Sequence, residues 1–177
     1  MTEKSLFAGF GGQGIISLGQ IWVYCAMENG SNVTFFPFYG AEKRGGIARA
    51  GVIISDTEIA SPLVTTPDSA LVMNPDSLPI CEASLKQGGL IVINSTLVKD
   101  EPKRQDLKVV KIDAQTMAEK IGNGRIANMV ALGAMAKLTG ALKIDGIEKI
   151  LLKFFGEGKQ KFVPMNVEAI KAGFAAV

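Results

Sequence analysis

The sequence predicts an α/β fold: three α/β/α layers around a mainly parallel sheet, mixed over residues 33–60, with a Rossmann-like first βα turn. Three observations point there. A glycine-rich turn, Gly9-Phe10-Gly11-Gly12-Gln13-Gly14, joins the apolar run Ser5-Leu6-Phe7-Ala8 to a helical pattern of Ile15, Ile16, Leu18, Gly19, Trp22, Val23 and Ala26. Glycines at the first, third and sixth places serve a sharp turn, a close backbone approach to a ligand, and tight helix–strand packing. Short uninterrupted apolar runs at 70–73 and 90–93 read as buried parallel strands, and they alternate with helical patterns. Finally, 177 residues with 47% hydrophobic content suffice for one packed domain, expected to span residues 1–177.

The elements follow in order. Strand one is Leu6 to Phe10, and the helix after the turn stops at Asn29-Gly30-Ser31. Val33-Thr34-Phe35-Phe36 is β-branched and aromatic, hence a strand, and Pro37 marks its end or a sheet edge. Tyr39 to Gly46 places three glycines around three charges and reads as a loop. Ile47 to Ser55 alternates as a strand, and Ile59 to Pro62 as a further short edge piece. Ala70 to Met73 is a buried strand, Ser77 to Gln87 a helix closed by Gly88-Gly89, and Leu90 to Ile93 the next buried strand. Asp100 to Arg104 is a solvated loop, Lys108 to Ile112 a strand, and Asp113 the cap of a helix reaching Ile121. Arg125 to Thr139 is apolar nearly all round and is expected to be the core helix. Asp145 should cap a helix to Phe155, Gly156 to Lys159 should be a loop, and Pro164 to Ala176 a last helix.

Composition narrows the chemistry. The net charge of +2 is too balanced for a nucleic-acid binder, so any anion site should be local. With no histidine, Ser-His-Asp and Cys-His catalysis and His-ligated metal are excluded, and no catalytic residue or metal ligand is assigned. The two cysteines, Cys25 and Cys81, lie in apolar patterns, as buried free thiols of a reduced cytoplasm would. Two distant cysteines cannot hold an iron–sulfur cluster, which takes four thiolates. No signal peptide opens the chain, and its longest apolar helix falls short of the ~20 residues a bilayer requires. A cytoplasmic protein without membrane contact is expected.

The glycine turn alone is compatible with a bare βα connection. A Rossmann dinucleotide site also wants an acid about twenty residues on, at the end of strand two. That place reads Phe36-Pro37-Phe38-Tyr39, and Glu42 comes later beside two cations. Lys43-Arg44-Gly45-Gly46 instead offers positive charge and bare backbone N–H groups, suited to phosphate, unless it is a solvated charged loop. A phosphorylated nucleotide carrier fits better than NAD.

Three stretches together, GFGGQG at 9–14, YGAEKRGG at 39–46 and GRIANMVALGA at 124–134, closely resemble the gamma subunit or gamma domain of 2-oxoacid:ferredoxin oxidoreductases. The resemblance covers nearly the whole chain. It implies a multi-subunit enzyme that oxidatively decarboxylates a 2-oxoacid such as pyruvate or 2-oxoglutarate, forms an acyl-CoA and passes electrons to ferredoxin. Thiamine diphosphate and iron–sulfur clusters would lie on alpha and beta partner subunits, with or without a delta subunit. This chain would receive the nucleotide end of coenzyme A and contribute to assembly. Gly9, Phe10, Gly11, Gly12, Gln13 and Gly14 would face that group, and Lys43 and Arg44 match the family's basic loop. Arg125 and Asn128 match its Arg-x-x-Asn, where a buried amide could tie the helix to a loop. An isolated chain without activity is expected. The alternatives are an NAD-binding Rossmann-like oxidoreductase and a purely structural subunit. Phe35, Phe36, Phe38, Phe154 and Phe155 are candidates for a partner-facing surface.

Overall fold

The computed structural model describes residues 1–39 and 46–177. At its centre is β1 (Thr2–Phe10). Along its whole length β1 pairs antiparallel with β3 (Ile47–Ser55), Thr2 opposite Ser55 and Phe10 opposite Ile47. On its other side it pairs parallel with β4 (Ser69–Val72). With β2 (Asn32–Tyr39), β5 (Leu90–Asn94) and β6 (Lys108–Ile112), the described residues form a sheet in the order β2-β3-β1-β4-β5-β6. Only β3 runs against the rest, which makes the sheet mainly parallel and mixed in the region the sequence indicated. Pro37 is tolerated inside β2 because β2 is an edge strand, bonded to β3 alone. The opposite edge, β6, carries Lys108 and Lys111, charges that discourage further strand pairing.

Helix α1 (Ile15–Glu28) buries Ile15, Leu18, Gly19, Ile21, Trp22, Cys25 and Ala26, the stripe expected of one helical face. It shares its side of the sheet with α3 (Ala114–Ile121), α4 (Ala127–Thr139), α5 (Ile147–Phe155) and α6 (Val163–Ala175). The other side carries α2 (Ser77–Ser84), whose Leu78 and Cys81 close a second, smaller core over Leu6, Ala70 and Ile91. The three layers are therefore unequal. Helix α4 has no polar face because it lies between the sheet and α6, with α1 and α3 at its flanks, and every residue from Ala127 to Ala136 is buried.

Several boundaries differ from expectation for identifiable reasons. Residues Ile59 to Pro62 form no strand; this stretch is part of the loop that lays Val64 over Gly51. Helix α2 stops at Ser84, where Leu85 turns extended. The Arg104 guanidinium donates to the carbonyls of Glu82 and Leu85, at 2.8 and 2.7 Å, satisfying the end of that helix. Residues 100–104 are therefore not simply solvated. Asp113 caps α3 as expected, accepting from Thr116 N, and the Thr96 hydroxyl beside it holds its carboxyl below the usual carboxylate range. Asp145 does not cap α5; Gly146, left-handed at φ 76°, starts it with no side-chain cap. The expected loop at 156–159 is drawn into a 3-10 helix, Glu157–Phe162. Phe35 is directed into the larger core, whereas Phe36 and Phe38 stack against each other on the opposite face, their ring centroids 4.6 Å apart.

Cys25 and Cys81 are free and buried, one in each core, so the sheet separates them. Burial pushes both thiols up from 9.0 to about 12. Neither should react with a thiol reagent in the native protein at pH 8, and both should react on unfolding. The linkage has a definite sign. Above pH 9 the unfolded thiols release protons that the folded ones keep, so stability present below that pH is lost as pH rises toward 12. A denaturation midpoint unchanged between pH 8 and pH 11 would contradict this.

Candidate functional site

The glycine turn leaves β1 at Phe10 and enters α1 at Ile15, at the carboxyl end of the central strand, where ligands bind in open α/β sheets. Its three signature glycines serve distinct needs. A methyl on Gly9 would come within 2.5 Å of Gln13 Oε1 and 2.7 Å of Ile15 Cδ1, so this position is closed by packing. Gly11 is open among the described residues, its nearest neighbour there being the Gly46 carbonyl, 3.7 Å from where a methyl would be. Gly14 is left-handed at φ 73°, and a methyl there would lie 2.5 Å from Asn128 Nδ2. Gly12, with φ 101°, has open space above it.

Gln13 holds the turn rigid. Its Oε1 accepts from Phe10 N at 2.7 Å, and its Nε2 donates to the Met73 carbonyl at 3.0 Å, just past β4. Both ends of the amide are thus engaged inside the protein, and the residue ties the turn to the next strand. A backbone bond from Gly11 N to Gly46 O, 3.0 Å, ties it to the start of β3. The first bond within α1 is Leu18 N to Gly14 O. The N–H groups of Ile15, Ile16 and Ser17 therefore belong to the unpaired first turn, with no acidic residue in it and no side-chain cap. Such an N-terminus favours an anion electrostatically. A pocket of about 220 Å³ lies over it, bounded by Gly11, Gly12, Gly14 and the start of α1.

Next to the turn is a larger cleft of about 540 Å³, floored by Gly12, Gln13 and Met73. Its far wall is the segment from Asn123 to Asn128, where a short 3-10 turn (Gly124–Ile126) leads into α4. Asn123 Oδ1 accepts from Arg125 N at 3.0 Å and fixes that entry. Met73, Gln115 and Asn123 were not among the site residues the sequence singled out; β4, paired beside β1, brings Met73 there, and α3 and the entry to α4 bring Gln115 and Asn123. A third pocket, of about 640 Å³, lies beside α2, but Glu82, Asp100 and Glu101 line it, and its Arg104 is committed to capping that helix. Its three carboxylates outnumber its one further cation, Lys103, so its charge does not favour an anion.

The basic loop 39–46 was expected to emerge beside the glycine turn, at the carboxyl ends of neighbouring strands. Strand β2 does end on the same side of the sheet as β1, but β3 lies between them. Lys43 and Arg44 lie outside the described residues.

Residues 4–176 match the family described as pyruvate ferredoxin/flavodoxin oxidoreductase. A relative, the ketoisovalerate oxidoreductase subunit VorA of Methanothermobacter marburgensis, is 35% identical over 170 residues, which are 94% of this chain. The chain spans about a third of that relative's length, 34%. The gamma subunit of a keto/oxoacid ferredoxin oxidoreductase from Geobacter sulfurreducens superposes with a TM-score of 0.83 at 31% identity, covering 98% of this chain and 96% of that one. The 2-oxoglutarate:ferredoxin oxidoreductase of Magnetococcus marinus, solved with 2-oxoglutarate, coenzyme A and succinyl-CoA bound, superposes with a TM-score of 0.88 at 26% identity. The match covers 98% of this chain and 30% of that one. The chain belongs to the pyruvate ferredoxin/flavodoxin oxidoreductase family and is similar over nearly its whole length to a gamma subunit of a keto/oxoacid ferredoxin oxidoreductase.

Proposed function

We propose that this chain, as one domain over residues 1–177, binds coenzyme A for a multi-subunit enzyme and helps to assemble it. That enzyme oxidatively decarboxylates a 2-oxoacid, forms the acyl-CoA and passes electrons to ferredoxin. The observation that carries the reading is the anion-ready N-terminus of α1. Three N–H groups lie under an open pocket, without a capping side chain or a nearby acid of the helix, beside a backbone left bare at Gly11 and Gly12. Coenzyme A presents a pyrophosphate of matching charge. Support also comes from the Magnetococcus marinus relative, which was solved with coenzyme A bound. In this reading Gly11, Gly12 and Gly14 face the ligand, while Gly9, Phe10 and Gln13 shape the turn, and Lys43 and Arg44 act on the phosphates.

Thiamine diphosphate and iron–sulfur clusters belong to the partner subunits in this proposal. The two thiols of this chain stand on opposite faces of the sheet and cannot join one cluster. For assembly, Tyr24 and Met27, 45% and 55% exposed, form an apolar face with Phe154.

The test is a titration of the complex isolated through a tag on this chain. Coenzyme A should bind saturably, and NADH should not compete with it. NADH binding in place of coenzyme A would favour the dinucleotide reading, and binding of neither would leave a structural subunit. Assayed alone with 2-oxoacids, coenzyme A, thiamine diphosphate and a viologen dye, the purified chain should show no turnover. Turnover without partners would overturn the division of labour.

A further inference from the structure

We infer that Arg125 is the residue that grips the terminal phosphomonoester of the ligand, and that it makes this site selective for a 3′-phosphorylated nucleotide. The inference rests on the coenzyme A reading and assigns it a second contact point, separate from the α1 N-terminus.

Four observations converge on the cleft of about 540 Å³ beside the turn. First, Arg125 lines it, is exposed, and its guanidinium makes no hydrogen bond, ion pair or aromatic contact among the described residues. Its backbone, by contrast, is fixed by Asn123. An anchored residue with an uncommitted guanidinium at the rim of a cavity is arranged to meet an anion. Second, among the described residues no carboxylate lines the cleft. Glu119, beside Gly124, accepts from Gln115 Nε2 at 3.0 Å. Third, Asn128 is 7% exposed, lines the same cleft, and its Nδ2 has no hydrogen-bond partner among the described residues. Its Oδ1 accepts from Met129 N, which leaves the amide N–H groups as the free end. That amide nitrogen is not among the fully enclosed partnerless atoms of the described residues; it is accessible from the cleft and free to donate to a ligand there. Fourth, the cleft and the smaller pocket over α1 meet at Gly12, which lines both, so one extended ligand can reach both.

The division between phosphates follows from their chemistry. The diester-like pyrophosphate suits the row of N–H groups at α1. A phosphomonoester carries nearly two charges at neutral pH and three terminal oxygens, the natural partner of a planar guanidinium fork. Asn128 Nδ2 supplies a neutral donor on the path between the two.

The complex isolated through a tag on this chain is titrated by calorimetry with coenzyme A and with dephospho-coenzyme A. It carries the native residue, Arg125→Gln or Arg125→Lys. Arg125→Gln should weaken coenzyme A ten- to a hundredfold, as loss of one charge-assisted contact does. Dephospho-coenzyme A should bind the native and Arg125→Gln complexes alike, and Arg125→Lys should recover part of the loss. Because Arg125 is exposed, its replacement should leave the fold intact. Equal losses for both ligands, or no loss for either, would overturn the assignment while the native complex still binds coenzyme A. A native complex that binds no coenzyme A would instead overturn the reading on which it rests.

Discussion

Gly133→Ala should destabilise the folded chain by at least about 3 kcal/mol, with a fall in melting temperature of roughly 6–12 °C. Two effects oppose each other. Helix propensity favours alanine over glycine in a helix interior by about 1 kcal/mol. Packing opposes it more strongly. A methyl on Gly133 would lie 2.8 Å from the carbonyl carbon of Ile170 and 2.9 Å from Phe174 N, both backbone atoms of α6. Gly173 on α6 returns the arrangement, its would-be methyl 2.7 Å from the carbonyl carbon of Val130 on α4. Backbone cannot swing aside as the end of a side chain can, so the helices would have to separate along a fully buried seam. The two glycines let Cα–H groups face carbonyls across the interface, a weak attraction that any side chain removes. Gly173→Ala should behave alike. The double variant should cost less than the sum, since the first methyl already parts the helices that the second needs apart. Strict additivity, or a melting temperature that rises, would show that propensity prevails and the seam is loose. The measurement is thermal or urea unfolding of the three variants against the native chain.

That seam also marks the limit of what was legible in the sequence. The uniformly apolar stretch 127–136 announced a buried helix, and it is one, because local pattern records burial. What covers it, α6 some forty residues on, is a tertiary pairing with no local signature, so Gly133 read as one more small residue. The sheet behaves in the same way. The alternation of Ile47 to Ser55 and the position of Pro37 correctly indicated a strand and a sheet edge. Neither states that β3 slips between β1 and β2, so that the carboxyl ends of β1 and β2 are not neighbours. Helix starts were read from side chains, which works where Asp113 accepts a hydrogen bond and fails at Gly146, where backbone conformation does the work. In the turn, the glycine spacing was readable because each glycine answers a local steric need. The dual anchoring of Gln13 was not, because its second partner, Met73, is contributed by a distant strand.

Gly11→Asp should abolish measurable coenzyme A binding, weakening it at least a hundredfold, while leaving the fold intact. The glycines of the turn differ in what surrounds them. Gly9 is enclosed by Gln13 and Ile15, and Gly14 is left-handed against Asn128, so replacing either disturbs the protein before any ligand is involved. Gly12 is open but has a φ of 101°, strained for any other residue. Among the described residues, Gly11 alone of the four has neither a positive φ nor a close neighbour, the Gly46 carbonyl standing 3.7 Å from a methyl placed there. A side chain therefore fits the free protein and projects into the space the pyrophosphate would use. A carboxylate adds repulsion between like charges to that steric block, at a helix end whose attraction for anions it also satisfies. Losing a charge-assisted contact costs about 1.5–3 kcal/mol, and replacing it by repulsion takes the penalty past the 2.8 kcal/mol of a hundredfold. Gly11→Ala, which adds bulk without charge, should fall between native and Gly11→Asp. Calorimetry on the assembled complex reads the affinity, and an unchanged melting temperature shows that the turn has kept its shape. Full coenzyme A affinity in a stably folded Gly11→Asp complex would mean that the ligand does not approach this backbone, and the α1 N-terminus would lose its place in the proposed site.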